Sequence, residues 1–84
     1  MSYKIQIDNK VIKDLKKIDK IWQKRILNKI KSVLIDDPYS GKKLVGNLSP
    51  YYRLRVGNYR IIYEIIEDEV VVEVIKVKHR KEVY

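Results

Sequence analysis

No cysteine occurs among the 84 residues, so no disulfide can reinforce a chain close to the lower size limit for a self-sufficient core, and thiolate metal sites and thiol nucleophiles are excluded. Alanine, threonine and phenylalanine are also missing, and there is a single histidine, His79. One imidazole without cysteine rules out the common zinc patterns, and no serine, histidine and acid constellation can be drawn. Long apolar runs are lacking as well. The opening "MSYKIQIDNK" holds no signal-peptide core, and no segment approaches the roughly 20 apolar residues that a membrane-spanning helix needs. A single domain over residues 1–84, soluble and cytoplasmic, is the expectation. Glycines are few, and the pair in "GKKLVG" is followed by Asn-Leu where a phosphate loop requires Lys and Ser/Thr.

Positive charge is what the chain has in excess. Nineteen Lys and Arg against eleven Asp and Glu give a formal net charge of +8, spread over both halves and not confined to a tail. Such a surface attracts polyanions, so nucleic acid or an acidic protein is the expected partner. Lysine bias is the competing explanation, since Lys and Ile dominate the composition in the way that genomic base content can impose.

Along the chain, "YKIQI" alternates apolar and polar and predicts a first strand from Tyr3 to Ile7. Asp8 or Asn9 then supplies a helix N-cap. Val11, Ile12, Leu15 and Ile18 form one amphipathic stripe, and Ile21, Trp22, Ile26, Ile30, Val33 and Leu34 form a second. The cluster Asp36, Asp37, Pro38, Ser40 and Gly41 ends the second helix near Ile35 and opens a loop to about Pro50. Residues 51–56, 59–66 and 70–78 alternate with a period of two and predict three strands, joined at Gly57-Asn58 and at "EDE". The predicted fold class is α+β: an N-terminal strand, then two helices packed on one face of a mainly antiparallel four-stranded sheet.

The hairpin carries the most informative pattern. If Gly57-Asn58 is a two-residue turn, Val56 faces Tyr59, Arg55 faces Arg60, Leu54 faces Ile61, Arg53 faces Ile62 and Tyr52 faces Tyr63. Tyr52, Leu54, Val56, Tyr59, Ile61 and Tyr63 then share the face that seats the helices, and Tyr51, Arg53, Arg55, Arg60, Ile62 and Glu64 share the other. Arginines directly opposite one another repel by a few tenths of a kcal/mol up to ~1. Three convergent guanidiniums are what a phosphate site needs and what a stable sheet avoids. Glu64, Glu73 or Glu82 neutralising them is the alternative. Strict alternation in "VVVEVIKV" would aim Glu73 and Ile75 at the arginines, with Glu73 in a structural ion pair.

The combination "YYRLRVGNYRIIYEI", a valine-rich strand and "HRKEVY" strongly resembles the RelE/ParE superfamily of bacterial and archaeal toxins, with "KKLVGNL" and the preceding helices also fitting. The resemblance implies a RelE-like toxin neutralised by a cognate antitoxin, which in the RelE branch cleaves messenger RNA in the ribosomal A site through the substrate's own 2′-hydroxyl. It implies catalytic positions at Arg53, Arg55, Arg60, Arg80 and Tyr84: Arg55 and Arg60 on the phosphorane charge, Arg80 at the leaving 5′-oxygen, Tyr84 stacking on a base and orienting the 2′-hydroxyl. Lys43, Lys78 and Lys81 are expected RNA contacts. Some relatives carry lysine where this chain has Arg53 and Arg55, and arginine scarcely loses its proton, so the general base is open among His79, Glu64 and Tyr84. No cofactor and no metal are expected, and the partners implied are an acidic antitoxin, the ribosome with its mRNA, and operator DNA only as the toxin–antitoxin complex; no membrane is implied. The ParE branch, a DNA gyrase inhibitor without nuclease chemistry, is the alternative, and an inactive toxin that retains only antitoxin or RNA binding is a third.

Overall fold

Short acidic side chains start both helices in the computed structural model, which describes residues 2–44, 46 and 50–79. Asp8 accepts a bond from the Lys10 backbone N–H at 3.0 Å and Asp19 one from Ile21 at 3.4 Å, each satisfying a donor that the first helical turn leaves free. Strand β1 (Lys4–Ile7) leads into helix α1 (Asn9–Lys16), and α2 (Lys20–Lys29) follows after a short bend. α2 continues as a π-helical turn, Ile30–Leu34, which places Ile30 and Leu34 in the core.

Beyond a 3₁₀ turn at Pro38–Ser40 come β2 (Lys42–Lys43), β3 (Tyr52–Val56), β4 (Tyr59–Ile66) and, after a second 3₁₀ turn at Glu67–Glu69, β5 (Val71–His79). The strands form one sheet in the order β1-β5-β4-β3-β2, parallel between β1 and β5 and antiparallel elsewhere. The sheet therefore has five strands, not the four expected. The fifth, β2, is two lysines inside a turn-rich stretch, too short to show alternation; it exists because the outer edge of β3 offers unpaired backbone groups, and a short charged strand is a common way to close such an edge.

Val11, Leu15, Ile26, Ile30 and Leu34 from the helices meet Val56, Ile61, Tyr63, Val72, Val74 and Val77 from the sheet in one apolar cluster, with Tyr52, Leu54 and Tyr59 packed around it. The hairpin faces are those that alternation predicted. Tyr63 is fully buried, stacks on Tyr52 with ring centroids 5.7 Å apart, and donates from its hydroxyl to the Pro38 carbonyl at 2.5 Å. Burial pushes its pKa up to about 12, against a smaller opposing pull from the Gly41 backbone. The unfolded chain ionises this phenol near 10, so its contribution is complete below pH ~10 and declines as pH rises through 12. The expected loss is on the order of 2–3 kcal/mol. Urea unfolding at pH 9 and pH 12 measures it, with Tyr63→Phe showing the smaller decline.

Candidate nucleic-acid interface

The hairpin register places the candidate site, and Gly57 fixes the register. Gly57 has φ +57, the left-handed conformation a two-residue hairpin turn demands, and its missing side chain leaves the space that the Trp22 indole of α2 fills. Trp22 also lies 5.8 Å from the Tyr59 ring and carries the Arg25 guanidinium 4.9 Å above its own ring. The turn tip is thus held to the helix layer, and Val56↔Tyr59, Arg55↔Arg60 and Arg53↔Ile62 pair as the turn length predicts.

Residues opposite one another in a ladder share a face, so the pairings assemble cross-strand rows on the face turned away from the helices. The first row is Arg55, Arg60 and Lys78. The second is Lys42, Arg53, Ile62 and Lys76. The third holds Glu64, Glu73 and Gln6. Six cations therefore occupy two adjacent rows, and among the described residues none of Lys42, Arg53, Arg55 or Lys76 is ion-paired to a carboxylate. A hollow of about 180 Å³ opens at the turn end of the first row, lined by Arg55, Gly57, Asn58 and Arg60. Arg60 is half-buried with its Nε shielded from solvent, whereas Arg55 is exposed.

Two lysines reach this face because β5 is irregular. Ile62 pairs with Lys76 but Tyr63 pairs with Val74, which leaves Ile75 as the extra residue of a β-bulge. Past the bulge the alternation inverts: Val77 turns into the core, and Lys76 and Lys78 turn toward the arginines. Strict alternation misplaces them, whereas Glu73, which precedes the bulge, lies on the face that alternation gives it and lacks only its expected partner. That carboxylate faces Glu64, not an arginine, and no ion pair joins them to the cations among the described residues.

Of the residues singled out from sequence, Arg53, Arg55, Arg60 and Lys78 come together. Lys43 pairs with Tyr52 and so lies on the opposite face; its neighbour Lys42 takes the position beside Arg53. His79 pairs with Tyr59 on the helix side and packs edge-on against that ring at 5.0 Å, away from the arginine rows. Glu64 stands four residues along β4 from Arg60, about 13 Å at strand rise, too far to act on a group held in the hollow. Arg80, Lys81, Glu82 and Tyr84 lie outside the described residues. Lys42 and Lys76 are the members that sequence reasoning missed. A two-residue strand and a bulge position both depend on pairing partners, and neither leaves a local periodic signal.

At the far end of the molecule, the hydroxyls of Tyr3 and Tyr39 both donate to Glu67, which pushes the Tyr39 pKa up to about 12 through that hydrogen bond. These carboxylate-held phenols tie β1 and the first 3₁₀ turn to the β4–β5 turn and have no access to the basic rows. Among the described residues no group of three or more His, Asp or Glu is placed to hold a metal ion, and no helix is long and apolar enough to cross a membrane.

The chain and its fold are similar to those of known proteins. The family pattern described as ParE toxin of type II toxin-antitoxin system, parDE, matches residues 5–84. The mRNA interferase toxin RelE of Escherichia coli strain K12 is 32% identical over all of this chain and 92% of its own length. The toxin–antitoxin complex RelBE2 from Mycobacterium tuberculosis superposes with a TM-score of 0.88 at 24% identity, covering 98% of this chain and 95% of that one. The archaeal RelE–RelB complex from Pyrococcus horikoshii OT3 superposes with a TM-score of 0.74 at 27% identity, covering 99% and 100%.

Proposed function

Since the chain belongs to the RelE/ParE superfamily of type II toxin–antitoxin toxins, we propose that it is an mRNA interferase of the RelE branch, a cytoplasmic endoribonuclease that cuts mRNA on the ribosome and halts translation. The observation that carries this reading is the row Arg55, Arg60 and Lys78, whose two arginines line the hollow of about 180 Å³ at the turn.

In the proposed reaction the 2′-oxygen of the substrate attacks the adjacent phosphorus, the P–O5′ bond breaks, and the products are a 2′,3′-cyclic phosphate and a 5′-hydroxyl. The proton leaving the 2′-hydroxyl must go to a base, and one must arrive at the 5′-oxygen. Arg55 and Arg60 stabilise the charge that builds on the pentavalent phosphorus, an electrostatic task for which preorganised guanidiniums suffice without a metal. Lys78, across the ladder from Arg60, is the one lysine of this row, and its ammonium is a compact proton donor, which suits it to the leaving 5′-oxygen together with Arg80. Tyr84 stacks on a base and orients the 2′-hydroxyl. The ribosome supplies the in-line geometry that free RNA rarely adopts.

Purified toxin added to programmed ribosomes, with cleavage mapped by primer extension, tests the reading. Cuts within the A-site codon that persist in excess chelator support it; intact mRNA defeats it. The ParE match favours a second reading, inhibition of DNA gyrase, and a supercoiling assay run alongside separates the two.

The relatives crystallised as complexes with RelB support a cognate antitoxin here, acidic where it covers Arg53, Arg55 and Arg60, with operator DNA bound only by the pair. Replacing these three arginines by alanine is expected to weaken antitoxin binding at least tenfold in calorimetric titration; unchanged affinity would place the antitoxin elsewhere.

A further inference from the structure

The basic face has a defined length along the strand direction. Its first two rows are cationic, and its third is a pair of facing carboxylates, Glu64 against Glu73. Rows on one face repeat every second residue, about 6.6–6.8 Å along a strand, which is the interval between neighbouring phosphates of an extended, unstacked nucleic-acid strand. The first row borders the hollow. The second presents exposed Lys42 and Lys76 with half-buried Arg53 around the apolar Ile62, 8% exposed. Facing glutamates destabilise a sheet, and no described cation neutralises this pair.

We propose that Lys42, Arg53 and Lys76 form a second phosphate subsite, which holds the phosphate next to the scissile one, and that Glu64 and Glu73 end the track by repelling a third. An RNA strand then runs parallel to β4. This inference rests on the first row being the cleavage site. It adds the direction of the bound strand and its footprint of two phosphates, and it gives Lys42 and Lys76 the role of phosphate-binding residues.

The test uses uncleavable 2′-O-methyl RNA oligomers carrying one, two or three phosphates, titrated into the whole chain and followed by NMR, which reads millimolar affinities. Two phosphates are expected to bind about tenfold more tightly than one, and three no more tightly than two. K42Q/K76Q brings the two-phosphate oligomer down to the affinity of the one-phosphate oligomer, and the slope of log K against log salt shrinks from about −1.4 to about −0.7, one single-strand phosphate. E64Q/E73Q produces the missing third step. A two-phosphate advantage that survives K42Q/K76Q, or a third phosphate that already tightens binding to the unaltered protein, would overturn the subsite. Failure of the cleavage reading shows separately, as intact mRNA on programmed ribosomes whatever the oligomer footprint.

Discussion

Arg60→Ala is expected to slow cleavage of ribosome-bound mRNA by roughly 10²- to 10³-fold, the loss typical of removing one preorganised group from a developing anion, while the protein stays folded. Arg60 is the centre of its row, with Arg55 on one side and Lys78 on the other. Each facing pair of like charges costs a few tenths of a kcal/mol up to ~1. Removing the central charge relieves both contacts and gives up the packing of a half-buried aliphatic stem, two changes of opposite sign and similar size. A melting temperature within a few degrees of the parent is therefore the accompanying result. Arg60→Gln, which keeps the stem, should lose activity to a similar degree and gain more stability. Arg80→Ala is expected to act in the same direction on the rate. Cleavage within tenfold of the parent after either change would remove this mechanism.

The second large effect is on the fold. Gly57→Ala places a Cβ inside contact distance of the Trp22 indole on a residue with φ +57. The left-handed conformation costs about 1–2 kcal/mol for a residue with a side chain, and forcing an atom against a packed ring costs about 1–3 kcal/mol more. A loss of about 2–5 kcal/mol in urea unfolding is expected, a large share of the stability of so small a domain. Because the turn sets which residues face each other, cleavage should fall as well in the fraction that remains folded. Trp22→Leu in the Gly57→Ala background should recover the steric part and leave the conformational part. A cost below about 0.5 kcal/mol would mean that the tip is free of α2.

The hairpin could be read from the sequence because its determinants are local. Gly57-Asn58 sets the turn length, the turn length sets the register, and the register decides that Arg53, Arg55 and Arg60 share a face. The helices were legible for the same reason: Asp8 or Asn9 precedes one apolar stripe with helical spacing, and Ile21 to Leu34 form a second. What the sequence concealed depends on partners. Lys42–Lys43 is a strand only because β3 has an open edge, and Ile75 is a bulge only because β4 pairs on both sides of it. Lys76 was missed as a consequence of that bulge, while Glu73 lies on the face that alternation gave it, opposite Glu64 and not an arginine. The resemblance to the RelE/ParE toxins pointed to the tail residues Arg80 and Tyr84, which local periodicity could not place.

Ile75 acts as a frame shift written in backbone. One surplus residue exchanges inside for outside over everything that follows it in β5, so the same letters "KVK" would bury two ammonium groups under the helices in an unbulged strand. An alignment that closed this gap a few positions away would describe a different molecule. Here the electrostatic character of a whole surface depends on where a strand miscounts by one.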